Sequence, residues 1–448
     1  MATNAHPSVI PSMQTLPMLM HTARYVHRLL ALAFIVASIM FPASLQTFKI
    51  LFLVGMAACF LVSLPGCRGT VPVARQLTLI TAYYAVIGVG FVLWGMMNGG
   101  RGTAETLMVY VLGPVAYWFV IQGIDNRSAV RRLHIALLIC TFVVSVLVIL
   151  KMLSVFGYSS HFIDTVLALF PEDRFLVPGR YSPRIMSSLL FLAPYSISSF
   201  VLHGDSHSSM PRSVLGIALA PVIVSVIISG RNVLLLVILI LPILLLVSLK
   251  WLSDDLAKTV LVRIRRLALV YALTVTVAFA LAPRYVEWSP KLAGKALIAA
   301  FNPSRSEGAR VRFEEAEELM ASAAASPLVG HGLGKGIDGY VRDSERPWRY
   351  ELRPLALLAQ VGVIGLLLYL AGLLWMYRTA FAVAASSPRM APAVVVMMVS
   401  ITCVIIGDAT NPYLDQVGRL WMLFMPIGVL NASLLSASTA PLRKDMKN

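Results

Sequence analysis

Long apolar runs recur from one end of the chain to the other, each about 17–25 residues, which is enough to cross a hydrocarbon core as a helix. In lipid a lone segment can satisfy its own N–H and C=O groups only as a helix, so these runs have little conformational choice. They fall near residues 27–44, 48–65, 77–97, 105–123, 132–153, 184–202, 213–229, 232–249, 265–283, 354–376, 389–407 and 417–436. The expected fold is all-α: a polytopic membrane protein of about twelve transmembrane helices with one large, partly helical outer loop. Composition agrees, because charged residues make up only 13% of the 448, too few to cover the surface of a soluble chain. Residues His6 to Thr22 are polar and the first apolar run is too long for a secretory h-region, so no cleavable signal is expected.

The net charge of +16 does not mark a nucleic-acid binder, because the Lys and Arg residues are spread over the connections between runs. They set orientation instead. With an even number of spans both termini share a side. If that side is the cytoplasm, inner connections hold Arg24, Arg28, Arg127, Arg131, Arg132, Lys250, Lys258, Arg263, Arg265, Arg266, Arg378 and Arg389. The short outer ones hold only Lys49, Arg101, Arg231 and Arg419. The expected order is a cytoplasmic segment 1–26, nine helices over 27–283 with an outer loop near 154–183, a large outer loop 284–353, three helices over 354–436 and a cytoplasmic tail 437–448. Cys59, Cys67, Cys140 and Cys403 have no metal-ligand spacing and read as small core residues. No two histidines form a ligand pair at helical spacing, and no metal site is expected.

The outer side departs from plain membrane helix. In the first loop, His161 to Phe170 is apolar but too short to span and reads as an interfacial helix. The second loop carries a charged helix, Glu307 to Ala325, with Ser306 as its candidate cap. A glycine-rich turn follows, Pro327-Leu328-Val329-Gly330-His331-Gly332-Leu333-Gly334. It lacks the Lys-Ser/Thr ending of a phosphate-binding P-loop and reads as a flexible turn. Arg180, Arg184, Arg231, Arg310, Arg312, Arg349 and Arg353 collect on this side. Each has a bland reading. Arg231 would snorkel to the interface, and Arg310 would pair with Glu314 one helical turn away. Glu351 would pair with Arg349 or Arg353. As a set they fit an anionic ligand, because guanidinium forks onto phosphate oxygens.

The stretch Ile228 to Leu367 resembles the superfamily of integral-membrane O-antigen polymerases and O-antigen ligases. The resemblance rests on Ser229-Gly230-Arg231, Arg310-Val311-Arg312, the Pro327 to Gly334 turn and Gln360-Val361-Gly362-Val363-Ile364-Gly365, with Gly179-Arg180-Tyr181-Ser182-Pro183-Arg184 upstream. It covers about a third of the chain by motif. Eleven residues before Gly362, where the family carries histidine, this chain has Glu351, and Leu352 stands for the family's asparagine. A carboxylate can serve as general base.

The resemblance implies an enzyme in a bacterial inner membrane with its site facing the periplasm. It would polymerise a surface polysaccharide by moving a growing glycan from undecaprenyl pyrophosphate to the next lipid-linked unit. Arg180, Arg184, Arg231, Arg310 and Arg353 would hold the pyrophosphate and Glu351 would activate the acceptor hydroxyl. Neither cofactor nor metal is required, since the lipid pyrophosphate is the leaving group. Asp408 and Asp415 lie at an outer turn, too far apart for a metal-binding Asp-x-Asp. Two alternatives stand beside this reading: a ligase transferring the glycan to lipid A core, and a polysaccharide transporter or flippase.

Overall fold

A computed structural model describes residues 15–42, 44–63, 72–155, 158, 160–168, 176–177, 180–181, 184–202, 212–229, 231–285 and 307–438. The chain is a multi-pass helical membrane protein. Apart from a hairpin of two-residue strands, β1 Leu176–Val177 and β2 Arg180–Tyr181, the regular structure described is helical. In chain order the helices are α1 Thr15–Met40, α2 Gln46–Ser63, α3 Arg75–Met97, α4 Thr103–Leu107, α5 Gly113–Gln122, α6 Arg127–Val155, α7 His161–Ala168 and α8 Leu189–Leu202. There follow α9 Arg212–Ile228, α10 Asn232–Ser248, α11 Asp254–Tyr285, α12 Glu307–Ala325, α13 Arg353–Ser386, α14 Ala391–Asp408 and α15 Trp421–Ser438.

Among the described residues, 9 helical segments are long and apolar enough to cross a membrane. The expected runs at 213–229 and 417–436 form shorter apolar helices, Leu215–Ile228 and Trp421–Ser436. The run at 265–283 lies in α11, of which the side chains beyond residue 269 are outside the described set, as are Ser306, Cys67 and most of 284–306. The charged helix has the expected bounds, Glu307–Ala325; the short apolar helix of the first loop is described over His161–Ala168, and the last two residues of the expected stretch lie outside the described residues. The seventh and eighth runs are separate helices, α9 and α10, with Arg231 as the N-cap of the second.

Burial grades across the bundle. The segment Ile185–Leu202 is 94% buried, whereas Gln46–Ser63 is 17% buried and keeps large apolar side chains outside, as a lipid-facing helix does. α8 can sit at the centre because Ser196, Ser198 and Ser199 keep its surface narrow. The end of the bundle opposite the loop is tied by Arg28, whose guanidinium forks onto Asp125 at 3.0 and 2.6 Å, and by Asn431, which donates to the carbonyls of Pro72 and Ile124.

Two departures from regular helix bear on function. Between α4 and α5 the backbone makes a π-helical turn, Met108–Leu112. Within α13, Gly362 has φ +64° and breaks the helix. The glycine-rich turn is what repairs that break. His331 and Gly332 N–H donate to the carbonyls of Ala359 and Gln360 at 3.0 and 2.7 Å. In return Val363 and Ile364 N–H donate to the carbonyls of Pro327 and Leu328 at 2.9 and 3.0 Å. The other side of the turn is sewn to α3 and to the start of α4: Leu333 N–H donates to Phe91, Trp94 Nε1–H donates to Gly330, and Gly102 N–H donates to Gly334. Gly330, Gly332 and Gly334 all have positive φ, and a Cβ at Gly332 would land on the backbone of Gly95. The turn expected to be flexible is therefore a hydrogen-bonded joint, exposed from Pro327 to Val329 and buried at Gly330 and from Gly332 to Gly334. His331 belongs to it, its Nε2–H donating to the Ser322 carbonyl at 3.0 Å.

Candidate functional site

The joint fixes where residues 348–353 run, and this segment sends side chains two ways. Tyr350 and Glu351 point to α12, while Trp348, Arg349 and Arg353 turn toward the helix ends. On the α12 side, Glu351 is held by two guanidiniums: Arg342 donates to Oε1 and Arg312 to Oε2, both at 2.8 Å. These partners replace the expected Arg349 or Arg353. Beneath them lies Glu315, fully buried, with Oε1 accepting the Leu352 N–H at 2.8 Å and Oε2 lying 3.7 Å from Arg342 Nε. Burial raises the proton affinity of Glu315, while the Leu352 N–H and Arg342 favour the ion. Burial likewise pushes Tyr350 up to about 12, and its hydroxyl accepts the Ile337 N–H.

On the other side is a small open cleft bordered by Glu105, Tyr110, Trp348, Arg353 and Asp415. α4 and α13 begin at it and α14 ends just before its Asp415, so it lies at one end of the bundle. Arg349 Nη2 donates to Glu105 Oε1 at 2.5 Å and reaches the Asp415 carbonyl at 3.5 Å. Trp348 Nε1–H occupies Glu105 Oε2 at 3.1 Å. Arg353 Nη2 forms an ion pair with Asp415 Oδ1 at 2.8 Å, and its guanidinium lies over the Tyr110 ring. The Tyr110 hydroxyl donates to the same Oδ1 at 3.3 Å. Tyr110 is carried by the π turn and Gln360 by the last residues before the Gly362 break, so both helix irregularities border the cleft. π turns of this kind often mark functional sites.

The expected arginines separate. Arg353 lines the cleft. Arg231 Nη1 donates to the Tyr413 hydroxyl at 3.3 Å, two residues from Asp415, so it grips the same 409–420 turn. Arg310 does not line the cleft; its side chain is 67% exposed and pairs with Glu314 at 3.5 Å, the bland reading. Arg180 and Arg184 lie in β2 and in the 3-10 turn before α8, where only their backbones are described. Glu105, Tyr110, Arg342 and Asp415 are the site residues that sequence reasoning did not assign. Of these, only Asp415 carried a signal, an acidic residue at an outer turn, and metal spacing was the wrong test for it. Among the described residues no group of His, Cys, Asp and Glu could hold a metal ion. No family model, curated protein or solved structure matches this chain.

Proposed function

We propose that this chain is a glycosyltransferase that moves a glycan from a polyprenyl pyrophosphate to an acceptor hydroxyl at the periplasmic face of a bacterial inner membrane, acting as a surface-polysaccharide polymerase. The observation that supports it is the convergence of Arg231, Arg349 and Arg353, from three separate elements, on one turn beside a cleft at the helix ends. A lipid-linked diphosphate keeps its tail in the bilayer and its charge at the level of helix ends, which is where this cleft opens. Among the described residues Arg349 and Arg353 meet protein acceptors through Nη2, which leaves Nε and Nη1 for phosphate oxygens. Positive charge fixed in advance at the leaving group lowers the barrier to its departure. Glu351, with both oxygens bound, holds the loop segment that presents Arg349 and Arg353.

The test is reconstitution of the purified protein in proteoliposomes with polyprenyl-pyrophosphate repeat units. A ladder of lengthening glycans without lipid A core is the expected result. Product formed only when lipid A core is supplied would move the chain to the ligase branch, and no product with either acceptor would overturn glycosyl transfer.

A further inference from the structure

We infer that Asp415 is the catalytic base of this site, taking the proton of the acceptor hydroxyl through its Oδ2 atom. The inference rests on the glycosyl-transfer reading above and gives the cleft its missing chemistry. A base is best served by an oxygen to which the protein donates nothing, at the edge of the substrate space. Glu351 offers no oxygen without a donor, since Arg342 and Arg312 take one each. Glu105 also lines the cleft, but Arg349 and Trp348 take both of its oxygens. Asp415 differs. Arg353 pairs with Oδ1 and Tyr110 donates to the same atom, and Oδ2 meets no donor among the described residues.

The surroundings suit the role. Arg353 and Tyr110 fix the carboxylate plane from α13 and from the π turn, as an orienting pair does for a catalytic acid. Arg349, holding the Asp415 carbonyl, fixes its backbone. In the step, Oδ2 accepts the hydroxyl proton while the acceptor oxygen attacks the anomeric carbon. The bond from that carbon to the pyrophosphate oxygen breaks, and its electron pair leaves with the pyrophosphate beside Arg349 and Arg353. One glycosidic bond forms, one phosphoester bond is lost, and protonated Asp415 returns its proton to water through the open cleft.

The experiment is kinetic, on full-length protein in the proteoliposome assay. Asp415→Asn keeps an oxygen for Arg353 and Tyr110, so it should fold, with its Tm close to that of the wild type. It should lower kcat about 100-fold or more while the donor KM stays within about threefold. Asp415→Glu, should the Asn variant not fold, should transfer at less than about one tenth of the wild-type rate with the donor KM unchanged, because the carboxylate is displaced by a methylene. Either variant transferring at the wild-type rate overturns the assignment of the base alone. A loss confined to the donor KM also overturns it, by making Asp415 a binding group. Wild-type protein that transfers nothing with either acceptor takes down the function and the assignment together.

Discussion

Glu315 carries a carboxyl group with no exposed surface, between the N–H of Leu352 and the guanidinium of Arg342. Burial raises its proton affinity above the ordinary value of 4.5. The folded protein then holds more protons than the unfolded chain. The stability this group contributes is complete below the unfolded value and is lost as pH climbs through the raised one. Glu315→Gln keeps an acceptor for Leu352 and never ionises. The difference in Tm, wild type minus Glu315→Gln, should therefore fall as pH rises above about 4.5. A difference independent of pH, measured in detergent, would mean that the carboxyl ionises as freely in the fold as outside it. At this scale the sequence was only half legible. Glu315 and Glu351 stand out as acids, but one turn of α12 hides the first and ion-pairs the second, and that depends on Arg342, which no local pattern links to either.

Helix α12 and the apolar runs were readable as elements because charge and hydropathy change sharply at their ends. The break in α13 was not. A glycine inside an apolar run reads as a tolerated helical residue, and the turn that supplies its hydrogen bonds lies about thirty residues earlier in the chain. The prediction at this scale concerns the joint. At Gly332 and Gly362 a side chain would need a left-handed backbone, about 1–3 kcal/mol by itself. It would also press on the backbone of Gly95 or Leu328, neither of which can swing aside. Gly332→Ala and Gly362→Ala should each lower the Tm markedly. Gly90→Ala, on the same α3 that receives the turn but with open space at its Cβ, should leave it unchanged or slightly raised. Equal melting of all three variants would show that the turn is loose.

For the whole molecule, the apolar pattern conveyed the architecture, and the gradient of burial shows what it left out. Nothing in hydropathy alone distinguishes α8, at the centre, from α2, at the rim, except the serines that let neighbours approach α8 closely. The orientation proposed from the cations is testable. Ser344 in the long loop and Ser253 before α11 are both exposed and belong to opposite sides in the N-in arrangement. Single cysteines there, in a background without the native four, should react with an impermeant maleimide in intact cells at 344 and not at 253. The reverse pattern would place the cleft in the cytoplasm and remove the lipid-linked donor.

The hydrogen bonds that α13 loses at Gly362 are made good by residues 327–332. Ownership of those bonds is thus divided between a membrane helix and a loop that looks, in sequence, like an appendage to it. Such a loop is not a module. Cut away, it would leave a span with bare amides and carbonyls in the bilayer, where each unpaired group costs several kcal/mol. Exchanged for the loop of another chain, it would bring the wrong stitching unless α13 travelled with it. Evolution or engineering that changes what the cleft accepts has to move the stretch from Pro327 to Gly365 as one inherited block.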